Sequence, residues 1–187
     1  TDGSTRVRKG RTVVDHEGAD TTGGGVYAGS GYTYPAWVED CVITNCAAYR
    51  GGGVKRANVL RCVLTDNYSL YFGSAASDCA CYETLTKNNE CPNGAMNAGI
   101  SYWSKVEGCT VLDALGDGAS AEAIVANTLV KGYFMAGTVP SGNIRNCAVN
   151  KDMRLAPSAD ACAAAPGTLL VDSSALEVDR YGRPVIG

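Results

Sequence analysis

One short pattern recurs along this chain and limits the folds open to it: an apolar residue, two polar or small ones, Cys, any residue, then an apolar one. It reads Val38-Glu39-Asp40-Cys41-Val42-Ile43, then Val59-Leu60-Arg61-Cys62-Val63-Leu64. It returns as Val106-Glu107-Gly108-Cys109-Thr110-Val111 and as Ile144-Arg145-Asn146-Cys147-Ala148-Val149. A variant, Ile124-Val125-Ala126-Asn127-Thr128-Leu129, carries Asn in the Cys place. The match of Thr84-Leu85-Thr86-Lys87-Asn88 to the stretch around Leu64 sets Glu83 there, with Cys81 as a competing register. Steps along this column are 21, 21, 26, 18 and 20 residues, and the longest holds a polar segment read as a loop insertion near 88–97. A second element precedes the column: Gly23-Gly24-Gly25-Val26 and Gly51-Gly52-Gly53-Val54, with looser copies at Ala98-Gly99-Ile100 and Gly132-Tyr133-Phe134.

Periods near twenty with short β-branched segments leave few architectures. A leucine-rich repeat would show closely spaced leucines and a helical half, and the residues after Thr44 and Thr65 are too few and too Gly-rich for helix. A hexapeptide left-handed helix demands a strict six-residue rhythm that is absent. A parallel β-helix accepts coils of unequal length, because turns bulge outward while strands stay in register. With 23 Gly against 2 Phe and 3 Met, the composition suits many short strands around a narrow core.

The Gly-Gly-Gly-Val copies, followed by strands ending Ile43-Thr44-Asn45 and Leu64-Thr65-Asp66-Asn67, resemble right-handed β-helix proteins with polymorphic-outer-membrane-protein-type repeats, found on bacterial surfaces or secreted. The stretches Asp152 to Cys162 and Asp179 to Gly187 are similar to the closing segment of such β-helices. The resemblance implies an all-β, right-handed parallel β-helix of about six to seven coils and an extracellular or cell-surface location. It divides the single domain, 1–187, into an edge coil over 1–22, repeat coils over 23–151 and a closing segment over 152–187. It speaks to fold far more than to function.

Stacked coils turn each column into a ladder at the strand spacing of about 4.8 Å. Cys41, Cys62, Cys109 and Cys147 are therefore expected to point inward as a ladder of free thiols. In-register strands hold Cβ atoms farther apart than the roughly 3.8 Å a disulfide prefers. A zinc site needs four ligands converging on a point, not spread along a line. Asn127 in the column would be a buried amide needing hydrogen bonds. Cys79, Cys81 and Cys91 flank the expected insertion, so a bridge from Cys79 or Cys81 to Cys91 would staple it. Nine Cys is an odd number, and Cys46 and Cys162 have no assigned place.

Catalysis is hard to find. Glycoside hydrolysis needs two carboxylates flanking the bond, and the one His, His16, lies in the polar stretch Asp15-His16-Glu17. The densest acidic group is Asp113, Asp117 and Glu122, with Lys131 as a companion base. It would serve a lyase with Ca²⁺, or it is simply a turn between coils. The aromatics form the other candidate: Tyr27, Tyr32, Tyr34, Trp37, Tyr102 and Trp103 would stack on sugar rings or form a protein interface, if they do not merely cap coil edges.

A net charge of -3 gives no electrostatic reason to expect nucleic acid, and Arg6, Arg8, Lys9 and Arg11 read as a solvated edge. No apolar run is long enough to span a membrane as a helix. The expected function is thus a non-catalytic extracellular or surface module for adhesion, display or end-to-end assembly. Open ends would lead to a homo-oligomer or fibre. The alternative is a carbohydrate-active enzyme or carbohydrate-binding β-helix with a polysaccharide partner.

Overall fold

The computed structural model describes residues 24–28, 36–92, 98–116, 118, 122–132, 134, 141–150 and 165–179. Within them the chain is a parallel β-helix with three faces, each inner strand pairing with its equivalents one coil before and after. The first face stacks five strands: Val26–Tyr27, Val54–Lys55, Ala76–Ser77, Ala98–Ser101 and Ala114–Leu115. The second stacks six: Ala36–Glu39, Ala57–Leu60, Ala80–Tyr82, Lys105–Glu107, Ile124–Ala126 and Ile144–Arg145. The third stacks seven: Val42–Thr44, Val63–Thr65, Leu85–Lys87, Thr110–Val111, Leu129–Val130, Ala148–Asn150 and Leu169–Val171. A fourth pair, Ala47–Arg50 with Tyr68–Phe72, follows the third-face strands of the first two coils. The β-helix expected from the repeat is present, with five turns crossing all three faces rather than six or seven. The expected edge coil and most of the closing segment lie outside the described residues.

Each strand is two to five residues long, so one or two inward side chains per strand fill the interior. On the second face the inward column runs Val38, Val59, Cys81, Val106, Val125 and Ile144. On the third it runs Ile43, Leu64, Thr86, Val111, Val130, Val149 and Leu170. Medium aliphatic side chains fill most of these two columns, while the rings of Trp103 and Phe134 join the same core from outside them.

The faces meet at corners made by single residues in the left-handed region. Asp40, Arg61, Glu83, Gly108, Asn127, Asn146 and Gly167 share φ between 47° and 65° at the corner joining second to third face. Non-Gly residues resist that conformation, and the residue after each offsets the cost. Cys41, Cys62, Thr84, Cys109, Thr128, Cys147 and Thr168 form this corner ladder. Cys62 N–H donates to Thr84 Oγ1 at 3.3 Å and Cys109 N–H to Thr128 Oγ1 at 3.3 Å. The hydroxyls of Thr84 and Thr128 in turn donate to Tyr82 O and Ala126 O, both at 2.8 Å. The expected thiol ladder is therefore a mixed ladder of Cys and Thr.

The sequence register slips by one residue at two coils. Glu83 and Asn127 occupy the bend, with Thr84 and Thr128 in the column. Asn127 is exposed rather than a buried amide. Cys41 belongs to the first described coil and is exposed, whereas Cys62, Cys109 and Cys147 are buried.

The next corner uses Asn45, Asp66 and Asn88 at φ 55–56°. Behind it stands a second ladder, Cys46, Asn67, Asn89 and Asp113. Cys46 N–H donates to Asn67 Oδ1 and Asn67 N–H to Asn89 Oδ1, each at 3.0 Å. Asn67 Nδ2 reaches back to Ile43 O at 3.0 Å, and Asn89 Nδ2 to Leu64 O at 2.9 Å. The expected insertion near 88–97 thus begins later. Asn88 and Asn89 belong to the coil, Glu90 forms a parallel bridge with Tyr68, and 93–97 lie outside the described residues.

Candidate binding surface

Of the acidic group, Asp113 is tied into the scaffold. Asp113 closes the Asn ladder: Asn89 N–H donates to its Oδ1 at 3.1 Å and Asn89 Nδ2 to its Oδ2 at 2.7 Å. Both carboxylate oxygens are occupied by the scaffold. Glu122 is exposed and Lys131 half-buried, and Asp117 lies outside the described residues. Among the described residues no group of three or more His, Cys, Asp or Glu could hold a metal ion.

Burial pushes the Asp113 carboxyl above its ordinary range, against the lowering effect of the Asn89 bonds. A folded-state pKa raised above the unfolded one means the native state holds the proton more tightly. Its contribution is present at acidic pH and is lost as pH rises through the folded pKa. Asp113→Asn keeps an Oδ1 that can accept both Asn89 donors, as Asn89 Oδ1 does for Asn67. The expected result is a Tm difference, variant minus wild type, that grows as pH climbs from about 4 and then levels off. A difference independent of pH in thermal melts between pH 3 and 8 would refute it.

The cysteines expected to staple the loop do not. Cys79 and Cys81 are free thiols within the core, so neither bridges to Cys91. Cys79 follows a left-handed bend at Asp78 and donates to Ser77 O at 3.0 Å, repeating the corner chemistry of Cys62. Cys81 occupies the inward valine column. Desolvation pushes the thiol of Cys79 up to about 12, that of Cys109 likewise, and that of Cys81 well above its ordinary value. Thiols held protonated in this way are inert packing groups. Cys91 is buried and accepts from Ser69 Oγ at 3.3 Å.

The aromatic residues divide into three groups. Trp103, expected on the surface, is fully buried, and its indole N–H donates to Gly116 O at 2.7 Å. It is a core residue because the chain folds over it at the Gly118 bridge. Tyr32 and Tyr34 lie outside the described residues, and Tyr27 is exposed, its hydroxyl accepting from Arg56 at 3.4 Å. Trp37 is 49% exposed and stacks on Tyr82 with centroids 5.7 Å apart and planes at 27°. Lys105 stands 5.4 Å over the same Tyr82 ring and pairs with Glu107. This first cluster lies on the outer side of the second face.

The second cluster was not legible as a unit. A register shift between Ala48 and Arg50 sets Arg50 opposite Phe72. The Arg50 guanidinium lies 5.2 Å from the Phe72 ring and 5.8 Å from that of Tyr49. Tyr49 and Tyr71 are 4.7 Å apart, and Phe72 meets Tyr102 edge-on at 5.0 Å. Tyr71 and Tyr102 stay 38% and 40% exposed. Of the sequence candidates, Tyr102 belongs here and Trp37 to the other cluster.

Compared with family models, curated protein sequences and solved structures, the chain matches none.

Proposed function

We propose that this chain is a non-catalytic, secreted or cell-surface β-helix module for adhesion or display that holds carbohydrate on its sides. The observation that carries this reading is the pair of exposed aromatic–cation clusters, Trp37/Tyr82/Lys105 and Arg50/Tyr71/Phe72/Tyr102, on a stack of closely hydrogen-bonded coils. A flat ring with a polar rim binds the C–H face of a sugar at low entropic cost when its backbone is already fixed. The location draws support from the likeness of the Gly-Gly-Gly-Val repeats to polymorphic-outer-membrane-protein-type repeats. Engagement of Asp113 by Asn89 counts against the competing reading of a polysaccharide lyase or hydrolase.

The test is incubation with a panel of acidic and neutral polysaccharides, reading both retardation of the protein in polymer-containing gels and release of reducing or unsaturated ends. Retardation without products is expected. Turnover that co-purifies with the protein, or passage through every polymer unretarded, would overturn the proposal.

A further inference from the structure

We infer that the corner built by Arg50, Tyr71, Phe72 and Tyr102 is a subsite for a carboxylated sugar, a uronic acid residue of an acidic glycan. This rests on the carbohydrate-binding reading above and names its ligand class. Arg50 Nε is shielded from water with no hydrogen-bond partner, and no ion pair joins this guanidinium to a described carboxylate. An unmatched guanidinium is costly to shield and is ordinarily paired. Rings beside it, Phe72 at 5.2 Å and Tyr49 at 5.8 Å, hold it in place. With Nε shielded, a planar two-oxygen acceptor would be met by the two terminal N–H groups of this ring-held guanidinium.

The surroundings choose among anions. Arg50 is the one cation in this cluster, so the charge matches a single carboxylate rather than a phosphate dianion or a sulfated chain. The overall charge of -3 disfavours non-specific polyanion binding. Exposed rings of Tyr71 and Tyr102, both in contact with the Phe72 ring, supply apolar faces that a sugar ring covers and an isolated carboxylate does not. Ring and acid on one residue, joined to a polymer, satisfy both.

Calorimetry with oligogalacturonate, its carboxyl-reduced counterpart and polyglutamate tests the assignment. Oligogalacturonate is expected to bind. Arg50→Met and carboxyl reduction should each weaken that binding about tenfold or more, and Tyr102→Ala about fivefold, as expected for loss of a charge-assisted fork and of a stacking face. Circular dichroism and Tm check each variant, and if Arg50→Met does not fold, the exposed Tyr102→Ala carries the decision. Equal binding by the folded variants, equal binding of the reduced sugar, polyglutamate binding as tightly, or no binding of oligogalacturonate would each overturn the subsite. If Trp37→Ala abolishes binding while Arg50→Met does not, the module binds carbohydrate and this corner is not where.

Discussion

Replacing Asn89 with Leu is expected to lower stability by about 3–5 kcal/mol, roughly 6–20 °C in Tm for a chain of this size, and to leave little folded protein at 37 °C. Asn89 is buried at the middle of the ladder. Its Oδ1 accepts both the backbone N–H and the side-chain amide of Asn67, at 3.0 and 3.1 Å. Its Nδ2 donates to Leu64 O, Lys87 O and Asp113 Oδ2. A Leu of similar size strands the donors of Asn67 above, the carboxylate of Asp113 below and the Leu64 carbonyl between, none of which water replaces readily. Asn89→Asp keeps the acceptor and loses the donor beside an existing carboxylate, so it should fail almost as badly at pH 7 and recover at acidic pH. Asn45→Ala, on an exposed residue of the same bend, should cost no more than about 1 kcal/mol, the strain of a non-Gly left-handed residue. Urea melts of the three variants check this ordering, and an Asn89→Leu protein within 1 kcal/mol of wild type would refute it.

The repeat made the architecture legible and left its chemistry half-read. Cys41, Cys62, Cys109 and Cys147 do share one column, which set the coil phase correctly at four places. Insisting on Cys misplaced the other two. A threonine hydroxyl occupies nearly the volume of a thiol and bonds better, so Thr84 and Thr128 substitute freely, while Glu83 and Asn127 are merely tolerant of the bend. Asn ladders leave a fainter trace: Asp66-Asn67 and Asn88-Asn89 repeat as a bend residue followed by Asn, yet the column starts with Cys46 and ends with Asp113. Asp113 looked like a surface acid because an acid next to glycines usually lies in a turn. Only the stacking of coils reveals that its oxygens face Asn89. The aromatic corner was hidden for another reason. Tyr71 and Tyr102 are separated by a coil in sequence, and their approach through Phe72 to Arg50 depends on the shift after Ala48, which no periodicity encodes.

The glycine triplets carry the other large expected effect. A Cβ on Gly52 would stand 2.3 Å from Tyr68 O and 2.7 Å from Ser74 O, both backbone atoms held by neighbouring coils. Gly24 meets Gly52 O and Ala47 O in the same way one coil earlier, at 2.4 and 2.6 Å. The chain here passes flush against the first residues of the fourth strand pair, Ala47 and Tyr68, and no rotamer change can relieve the overlap. Gly52 N–H also donates to Gly73 O at 3.2 Å, so the coil cannot swing out without breaking its rung. Gly52→Ala should therefore cost about 3 kcal/mol or more, the upper end for forcing a methyl into packed backbone. It should also splay the Tyr68–Phe72 strand that carries the aromatic corner. Gly142→Ala is the matched control: nothing lies within 4 Å of its added Cβ. That substitution should be neutral or stabilise by up to about 1 kcal/mol through the unfolded chain. Paired chemical denaturation of the two variants decides it, because a packing cause moves only the first, whereas a general intolerance of alanine in this glycine-rich chain would move both.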